Sequence, residues 1–303
     1  MIIEKLEAFP KSSFTAVKLT TRDGAVGWGE CLHTTPTAIA AATKTLVGQE
    51  ATRYEWARTQ VHGPIGAAVN MAMLDICGKV AKAPVYQLLG GPTRNKVRAL
   101  TGWSEKALTA GHRAFIVPGA YTPRDGLDFV VDPDRKLSAG QASSLAASLE
   151  KSLPLWLDEP CPPANLGAIK KIATESVTPL GWGRGVTNLS EVQNMLREQV
   201  IDVVRLDISR HGISTIRKAA ALAETYYIAV APYHSGGPIA TAAALHLAAS
   251  LPNFFIQQVP LGDPARAELV GGDIERVKDG FLTLPTKPGL GIEVNEGALR
   301  RMA

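Results

Sequence analysis

The feature that most constrains the fold of this chain is a series of eight short apolar segments that starts at Val97. Most are separated by stretches with helical periodicity, such as SAGQASSLAASLEKS. Near-continuous apolar runs are typical of parallel strands that are buried on both faces. Eight such strands alternating with helices predict a (β/α)8 barrel, in which functional side chains lie at the carboxyl ends of the strands. The segments are KVRALTGW, HRAFIVPG, LDFVVDPD, LPLWLDEP, TPLGWGRG, IDVVRLDI, YIAVAPYH and NFFIQQVP.

One connection is too short for this pattern. Between Ile116 on the second strand and Asp132 at the end of the third, the chain supplies a loop and a strand but no crossover helix. A parallel connection usually needs a dozen or more residues and a helix. We therefore predict an α/β fold with a modified TIM barrel that is incomplete near the second and third strands. That wall would need cover from a rearranged loop or a neighbouring subunit, so we expect a homo-oligomer.

The beginning of the chain has a different pattern. Two β-rich runs are joined at Asp23-Gly24, a dipeptide that favours a type I′ hairpin turn, and two segments with helical spacing follow. We predict an α+β capping domain over residues 1–92 and the barrel over residues 93–269. The C-terminal residues 270–303 should pack back on the cap.

Charge and cysteine content limit the classes of partner. The net charge is +4, but no basic run with interleaved aromatic residues indicates binding to nucleic acid. The three cysteines lack CxxC spacing, which favours reduced thiols in a cytoplasmic protein. The start has no signal-peptide pattern, and no apolar run approaches the roughly 18 residues of a membrane span. We expect a cytoplasmic protein that binds a small carboxylate, and neither nucleic acid nor a membrane.

The predicted strand ends carry an unusual mixture of charges. Asp132, Asp158 and Asp207 lie at the ends of the third, fourth and sixth strands, whereas the fifth ends on Arg184. Two carboxylates at neighbouring strand ends would repel each other unless a cation lay between them. Charge balance therefore predicts that Arg184 pairs with Asp132, with Asp158 or with both.

Several blocks of the chain resemble the enolase superfamily, and more narrowly its mandelate racemase-like branch near the sugar-acid dehydratases. The resemblance covers about residues 1–298, and it is poor and shortened between about 100 and 130. It implies a cap over a modified TIM barrel and the abstraction of a proton next to a carboxylate, with Mg²⁺ stabilising the enediolate. The blocks are GAVGWGE, MLDICGKVAKAPVYQLLGG, WLDEP, IDVVRLDISRHG, APYHSGGPIATAAALHLAA and KPGLGIEV.

The resemblance places two carboxylates and one guanidinium at the three metal-ligand positions of the family. Asp132 and Asp158 match the first two positions, as vestigial ligands, and Arg184 falls on the third. A guanidinium has only donors and stays protonated, so it cannot ligate Mg²⁺. We therefore expect no cofactor, with Mg²⁺ as the alternative that the family implies. Residual binding of Mg²⁺ by the two aspartates and Glu159 stays open.

Arg184 itself has two interpretations. In the first, it fills the former metal position as a structural ion pair. In the second, it replaces Mg²⁺ as a fixed cation and grips a substrate carboxylate with two hydrogen bonds.

The acid and base positions also differ from the family. Asp134 falls where the similar dehydratases have a third-strand histidine, and Gln258 falls on the eighth-strand glutamate. Asp207 is retained on the sixth strand. On the seventh strand, Tyr233 takes the place of the family histidine and His234 follows it.

We predict roles for a set of these side chains. His234 is either a general base whose pKa stays near neutrality beside Asp207, or a loop histidine satisfied by backbone. Tyr233 is the competing proton donor or orienting hydroxyl, and Asp134 is alternatively part of a solvated turn. The predicted catalytic residues are His234, Tyr233, Asp207, Arg184 and Asp134, and the predicted substrate-binding residues are Arg184, His33 and Gln258.

Three hypotheses for function follow. The family lysine of the second strand corresponds to Ile116, which favours one-sided proton removal and β-elimination over two-base racemisation. The first hypothesis is a carbon–oxygen lyase of the dehydratase type that acts on a small hydroxy-carboxylate or sugar acid without the usual Mg²⁺ site. The second is a metal-free isomerase or epimerase, or another repurposed enzyme. The third is a non-catalytic homologue used as a binding or assembly module.

Overall fold

The computed structural model of the chain describes residues 1–119, 121, 124–162 and 166–301. The first part forms a three-stranded antiparallel sheet, in the order β1-β2-β3, followed by four helices. The strands are β1 (Ile3–Pro10), β2 (Thr15–Thr21) and β3 (Val26–Cys31), and the helices are α1 (Pro36–Leu46), α2 (Tyr54–Gln60), α3 (Pro64–Val80) and α4 (Val85–Leu88).

The predicted hairpin joins β2 to β3, but its turn is not of the predicted type. The backbone N–H of Thr21 donates to the carbonyl of Ala25 at 2.9 Å, which closes a loop longer than a two-residue turn. A type I′ turn needs a positive φ at both central residues. Here Gly24 has a φ of 81°, whereas Asp23 is not in the left-handed region. The longer loop confines the left-handed conformation to glycine, which adopts it without steric cost.

Helix α3 lies close against β3 because two glycines let the backbones approach. A Cβ at Gly27 would lie 2.0 Å from a carbonyl oxygen of α3, and one at Gly29 would lie 1.9 Å from another, so no side chain fits at either position. Between them Trp28 is buried, and its backbone N–H donates to Asp75 of α3 at 2.9 Å. The two glycines of β3 therefore have a structural role in the cap, because they let the sheet and α3 pack closely.

The rest of the chain contains the predicted barrel. Its strands are β4 (Lys96–Gly102), β5 (Ala114–Val117), β6 (Asp128–Val131), β7 (Leu157–Asp158), β8 (Leu180–Trp182), β9 (Val203–Val204), β10 (Ala229–Val230) and β11 (Gln257–Gln258). Its helices are α5 (Glu105–Thr109), α6 (Ala139–Leu149) with a 3₁₀ turn at Glu150–Ser152, α7 (Leu166–Glu175), α8 (Leu189–Arg197), α9 (Ile208–Glu224) and α10 (Pro238–Ser250). The strands are all parallel, and bridges from Val230 to Phe254 and from Tyr233 to Gln258 connect β10 to β11.

The bore of the barrel is packed with apolar side chains. On β8 the bore position is Gly181, because a Cβ there would lie 2.3 Å from the indole of Trp156. A filled bore leaves only the residues beyond this layer, at the carboxyl ends of the strands, to form a site. The layer consists of Leu100, Ala114, Val130, Trp156, Val203, Ala231 and Ile256.

The barrel lacks an outer helix in the described part of the connection between β5 and β6, as the sequence predicts. The two strands pair in parallel along their full length, so the gap lies in the helical layer and not in the strand layer. Aromatic rings pack together at this wall. The rings of Trp103 and Phe115 lie 4.8 Å apart, and those of Tyr121 and Phe129 lie 5.3 Å apart. Tyr121 belongs to the connecting loop, so the loop itself covers part of the gap.

The C-terminal residues return to the cap. The guanidinium of Arg300 lies 4.9 Å from the ring centre of Phe9, and Lys18 of β2 pairs with Glu296 at 2.6 Å. These contacts join the last helix to the first two strands. The remaining elements are α11 (Pro264–Leu269), β12 (Phe281–Thr283), which pairs with β4, and α12 (Glu296–Arg301).

The helices are short on the scale of a lipid bilayer. Within the described ranges α3 and α9 are the longest, with 17 residues each, and no helix is both long and apolar enough to cross a membrane.

Candidate active site

Polar side chains lie together at the carboxyl ends of the strands, at the barrel mouth. Successive side chains of a strand point to opposite faces, so residues two apart share the bore. Asp207, Tyr233 and Gln258 are also paired neighbours across three successive strand ends. The group consists of Asp132, Asp158, Arg184, Arg205, Asp207, Tyr233 and Gln258.

Arg184 lies between the two carboxylates, as charge balance predicts. Its two terminal nitrogens donate to the two oxygens of Asp132 at 2.8 and 3.0 Å, and its Nε lies 3.4 Å from Oδ2 of Asp158. The Arg184 side chain is 17% exposed, and the Asp158 side chain is fully buried. Burial opposes the guanidinium charge, but the neighbouring carboxylates outweigh burial and raise the pKa of Arg184. The predicted ion pair is confirmed.

A second guanidinium, that of Arg205, lies deeper in the bore, and sequence reasoning did not identify it. Its Nε donates to Oδ1 of Asp158 at 3.1 Å, and one terminal nitrogen donates to the carbonyl of Ala231 at 2.8 Å. The other terminal nitrogen donates to the side chain of Gln258. The signal in the sequence was its position two residues before Asp207, because strand alternation places both side chains on the same face.

The side chains at the three metal-ligand positions cannot together coordinate a divalent cation. Mg²⁺ takes oxygen ligands in near-octahedral geometry, but both oxygens of Asp132 accept hydrogen bonds from Arg184. Oδ1 of Asp158 accepts from the indole of Trp156 at 2.9 Å and from Arg205. The position that should supply a third carboxylate supplies only donors. Among the residues that the structure describes, no three His, Cys, Asp or Glu side chains form a group that could hold a metal ion.

Glu159 has a structural role beside this group. It is buried, and its Oε1 accepts from the backbone N–H groups of Gly183 at 2.7 Å and Arg184 at 2.5 Å. Its other oxygen pairs with Arg135. The carboxylate therefore holds the loop that presents Arg184, and its oxygens are occupied by donors.

Asp207 is a buried carboxylate at the end of β9, where it caps α9. Its Oδ1 accepts from the backbone N–H of Ser209 at 2.8 Å. Burial raises its pKa to about 6, against the opposing effects of that hydrogen bond and of Arg210. A base works best when its pKa lies near the working pH, because it is then ionised and still binds a proton well. Asp207 is therefore suited to general base chemistry.

Tyr233 lies beside Asp207 at the barrel mouth. Its hydroxyl donates to the backbone carbonyl of Arg184 at 3.2 Å. Burial and the charge of Asp207 raise its pKa, so the phenol keeps its proton at neutral pH. Tyr233 can donate a hydrogen bond or a proton, but it cannot act as a base.

The prediction that His234 is a general base near neutrality is wrong. As the residue after Tyr233, it points away from the bore. Its side chain is buried, with Nε2 3.1 Å from the hydroxyl of Thr241 in α10, and burial lowers its pKa to about 3. His234 is a neutral core histidine that does not share a site with Asp207.

Of the three remaining candidate residues, two are exposed on the surface and one is hydrogen-bonded to another side chain of the barrel. Asp134 is exposed and pairs with Lys136 at 3.1 Å, so it belongs to a solvated turn and its catalytic assignment is wrong. Gln258 accepts from Arg205 and thereby positions that guanidinium. His33 is exposed on the loop before α1, and its contact with substrate stays a prediction.

Two family models match this chain, one over most of the cap and the other over most of the barrel and the C-terminal residues. Residues 5–90 match the family model described as mandelate racemase / muconate lactonizing enzyme, N-terminal domain. Residues 119–298, more than half of the chain, match the model described as enolase C-terminal domain-like. The chain belongs to the enolase superfamily. Within that superfamily, its similarities support the galactonate-type branch.

Similar enolase-superfamily proteins cover almost the whole chain. A D-galactonate dehydratase family member from Streptomyces bingchenggensis (strain BCW-1) is 29% identical, with 99% of this chain and 92% of that protein covered. An enolase from Agrobacterium radiobacter, bound to Na and L-malate, has a TM-score of 0.89 at 25% identity, covering 100% of this chain and 95% of that one. A mandelate racemase/muconate lactonizing enzyme-like protein from Roseovarius sp. TM1035 has a TM-score of 0.87 at 27% identity, covering 99% and 95%.

This enolase-superfamily chain is shorter than such relatives. The alignment with the Streptomyces protein extends over 378 residues, more than the 303 of this chain. The relative therefore carries segments that are absent here.

Proposed function

We propose that this chain is a lyase of the dehydratase type that acts on a small hydroxy-carboxylate or sugar acid without the usual Mg²⁺ site. The observation that carries the proposal is the position of Asp207, a buried carboxylate at a strand end of the barrel mouth whose neighbour on the next strand is Tyr233. Burial raises its pKa to about 6. The dehydratase-family relative and the enolase bound to L-malate support this class of substrate.

The two arginines supply the electrostatic part of the chemistry. Removing a proton next to a carboxylate places additional negative charge on that group, and fixed cations stabilise this charge best where water is excluded. Asp132 and Asp158 already hold both guanidinium groups in place, so the cations need no reorganisation during the reaction. Arg184 is the partly exposed one, and it is the cation that a substrate carboxylate reaches.

The substrate carries hydroxyl groups on both the carbon next to its carboxylate and the following carbon, and Asp207 takes the proton from the first of these carbons. The C–H electron pair becomes a carbon–carbon double bond, and the bond from the next carbon to its hydroxyl breaks. The phenol of Tyr233 gives its proton to the departing hydroxyl, so that water leaves. The resulting enol tautomerises to a 2-keto acid, and the proton on Asp207 returns to Tyr233 through solvent. Ile116 offers no second base, so the proton is removed from one side only.

Product formation in the presence of EDTA tests the proposal. Wild-type protein incubated with D-galactonate and a panel of related aldonates should release a 2-keto acid, measured as its semicarbazone, at a rate that EDTA does not change. Asp207→Asn keeps a capping side chain and should lower that rate at least about a hundredfold. The matched control Asp134→Asn removes an exposed carboxylate and should leave the rate unchanged. A rate that requires added Mg²⁺, or equal losses in the two variants, would refute the proposal.

A non-catalytic carboxylate-binding homologue is the second candidate, and one observation favours it. Asp132 already occupies both terminal nitrogens of Arg184, the fork that would grip a substrate carboxylate. Calorimetry with the same aldonates separates the two candidates. Saturable binding by wild-type protein and by Asp207→Asn, with no 2-keto acid formed by either, would support the binding protein over the lyase.

A further inference from the structure

A cleft of about 680 Å³ lies between the cap and the barrel, outside the barrel mouth. The end of α2 and the start of α3 form one wall. The start of α8 and the first half of α9 form the other. The basic side chains that line it are Arg58, His62, Arg210 and His211.

The lining of this cleft is positively charged and has no carboxylate. None of its 14 described lining residues is Asp or Glu. Arg58 pairs with Glu55 at 3.1 Å, whereas the guanidinium of Arg210 has no ion-pair partner in the described part of the chain. Asp207 lies close enough to interact with the charge of Arg210 but does not pair with it directly, and a concave surface with such a guanidinium concentrates anions.

His211 adds a polar atom that lacks a partner. Its ring donates a hydrogen bond to the backbone of Val186, while burial and the neighbouring Arg210 lower its pKa to about 4, so the ring is neutral. With one ring nitrogen donating, Nε2 is an acceptor. Nε2 is buried and has no hydrogen-bond partner within the described ranges. Such an atom is costly, and a ligand hydroxyl would satisfy it.

The walls of the cleft are held together before any ligand binds. The amide of Asn70 in α3 donates to the hydroxyl of Ser214 at 2.8 Å and accepts from its backbone N–H at 3.0 Å. Gly212, with a φ of 70°, kinks α9, and a Cβ there would lie 3.1 Å from Ala67 of α3. Because cap and barrel are already fastened at this point, binding in the cleft requires little ordering of the protein.

We propose that this cleft binds a small oxyanion that also carries a hydroxyl group. The anionic group pairs with Arg210 and lies near Arg58, and the hydroxyl donates to Nε2 of His211. A phosphate or a carboxylate can supply the anion. The site shares no residue with the barrel mouth, but the charge of Arg210 also lowers the pKa of Asp207, so the test measures binding in the cleft and not the lyase rate.

Titration calorimetry of the full chain at constant ionic strength tests this site. One arm uses glycerol 3-phosphate and the other uses glycerate, so the two arms distinguish a phosphate from a carboxylate. At least one ligand should bind saturably. Arg210→Gln should weaken that binding about tenfold or more, since it removes a charge-assisted hydrogen bond. His211→Phe should weaken it about fivefold through loss of a neutral hydrogen bond.

Two control variants show whether a loss of binding is specific to the cleft. Arg197→Gln removes the same charge from an exposed position at the other end of α8 and should bind as the wild type does. Arg184→Met reports binding at the barrel mouth and should leave cleft binding unchanged. Urea unfolding establishes that each variant is folded. The proposal is overturned by the absence of saturable binding in both arms, by unchanged binding in Arg210→Gln, or by a loss in Arg184→Met or Arg197→Gln that equals the loss in Arg210→Gln.

Discussion

The pair between Arg184 and Asp132 should contribute much more to stability than a surface ion pair. Arg184→Met removes the guanidinium and leaves the carboxylates of Asp132 and Asp158 without that cation. Breaking a buried pair costs about 3–5 kcal/mol, and the 17% and 13% exposure of the two side chains places the expected loss near about 3 kcal/mol. Asp132→Asn should cost about 2 kcal/mol, because the amide can accept from only one of the two donating nitrogens.

A double-mutant cycle measures the coupling between the two side chains. Urea unfolding of the wild type, both single variants and the double variant should give a coupling free energy of about 2 kcal/mol, with shifted midpoints and unchanged m-values. The matched control is the exposed pair Lys287–Glu293, whose side chains are 68% and 76% exposed at a separation of 2.7 Å. Its coupling should be much smaller than that of the buried pair, because solvent screens two exposed side chains.

High salt provides an independent control on the same cycle. Raising the ionic strength should reduce the coupling of Lys287 with Glu293 and leave that of Arg184 with Asp132 nearly unchanged, because buried pairs are screened little. A coupling for Arg184 and Asp132 that is no larger than the control, or equally sensitive to salt, would show that this ion pair does not hold the barrel mouth together.

Three other predictions concern pH, metal binding and the core histidine. The folded-state pKa of Asp207 lies at about 6, above its ordinary value of 3.8, so its protonated form stabilises the fold below pH 3.8 and that stabilisation is lost as pH rises through 6. In urea unfolding, Asp207→Asn should therefore be more stable than the wild type by about 3 kcal/mol at pH 8 and by almost nothing at pH 4. If the variant and the wild type are equally stable at both pH values, burial does not raise the pKa of Asp207. Millimolar Mg²⁺ should not raise the thermal midpoint of the wild type or of Arg184→Glu, because Arg205 still holds Asp158 in both proteins. The double variant Arg184→Glu with Arg205→Gln should gain up to about 4 kcal/mol of stability from Mg²⁺. A rise in the midpoint of the wild type would contradict the expectation that it binds no Mg²⁺. His234→Gln should lower the midpoint and leave the rate of 2-keto acid formation per folded molecule unchanged, and a loss of rate without a loss of stability would return His234 to the site.

The barrel could be predicted because apolar strand bodies, helical spacers and turn residues all indicate the same architecture. The ion pair of Arg184 could be predicted for a similar reason, since parallel strands bring their carboxyl ends to one edge and opposite charges placed there meet. The short connection before Asp132 excluded a crossover helix by length alone. That the ring of Tyr121 would pack at this wall depends on loop geometry, which spacing does not contain.

The error at His234 arises from strand parity. Tyr233 and His234 are adjacent, so a one-residue difference in register decides which side chain reaches the bore and which enters the core. Ungapped matching placed Tyr233 at the family position, and the structure agrees with that placement. Arg205 is harder to recognise from the sequence, because a single arginine in an apolar strand indicates a position in the bore only when its parity with Asp207 is considered.

Solvent deuterium exchange tests most directly the claim that this barrel removes a proton next to a carboxylate without Mg²⁺. Wild-type protein in D₂O with EDTA, given the aldonate that it binds most tightly, is followed by proton NMR of the hydrogen next to the carboxylate and of the 2-keto acid product. We expect this hydrogen to be lost at a rate that rises with pH through about 6, and we expect Asp207→Asn to abolish the loss. Retention of the hydrogen in EDTA, with loss of the hydrogen only after Mg²⁺ is added, would show that proton removal here depends on Mg²⁺.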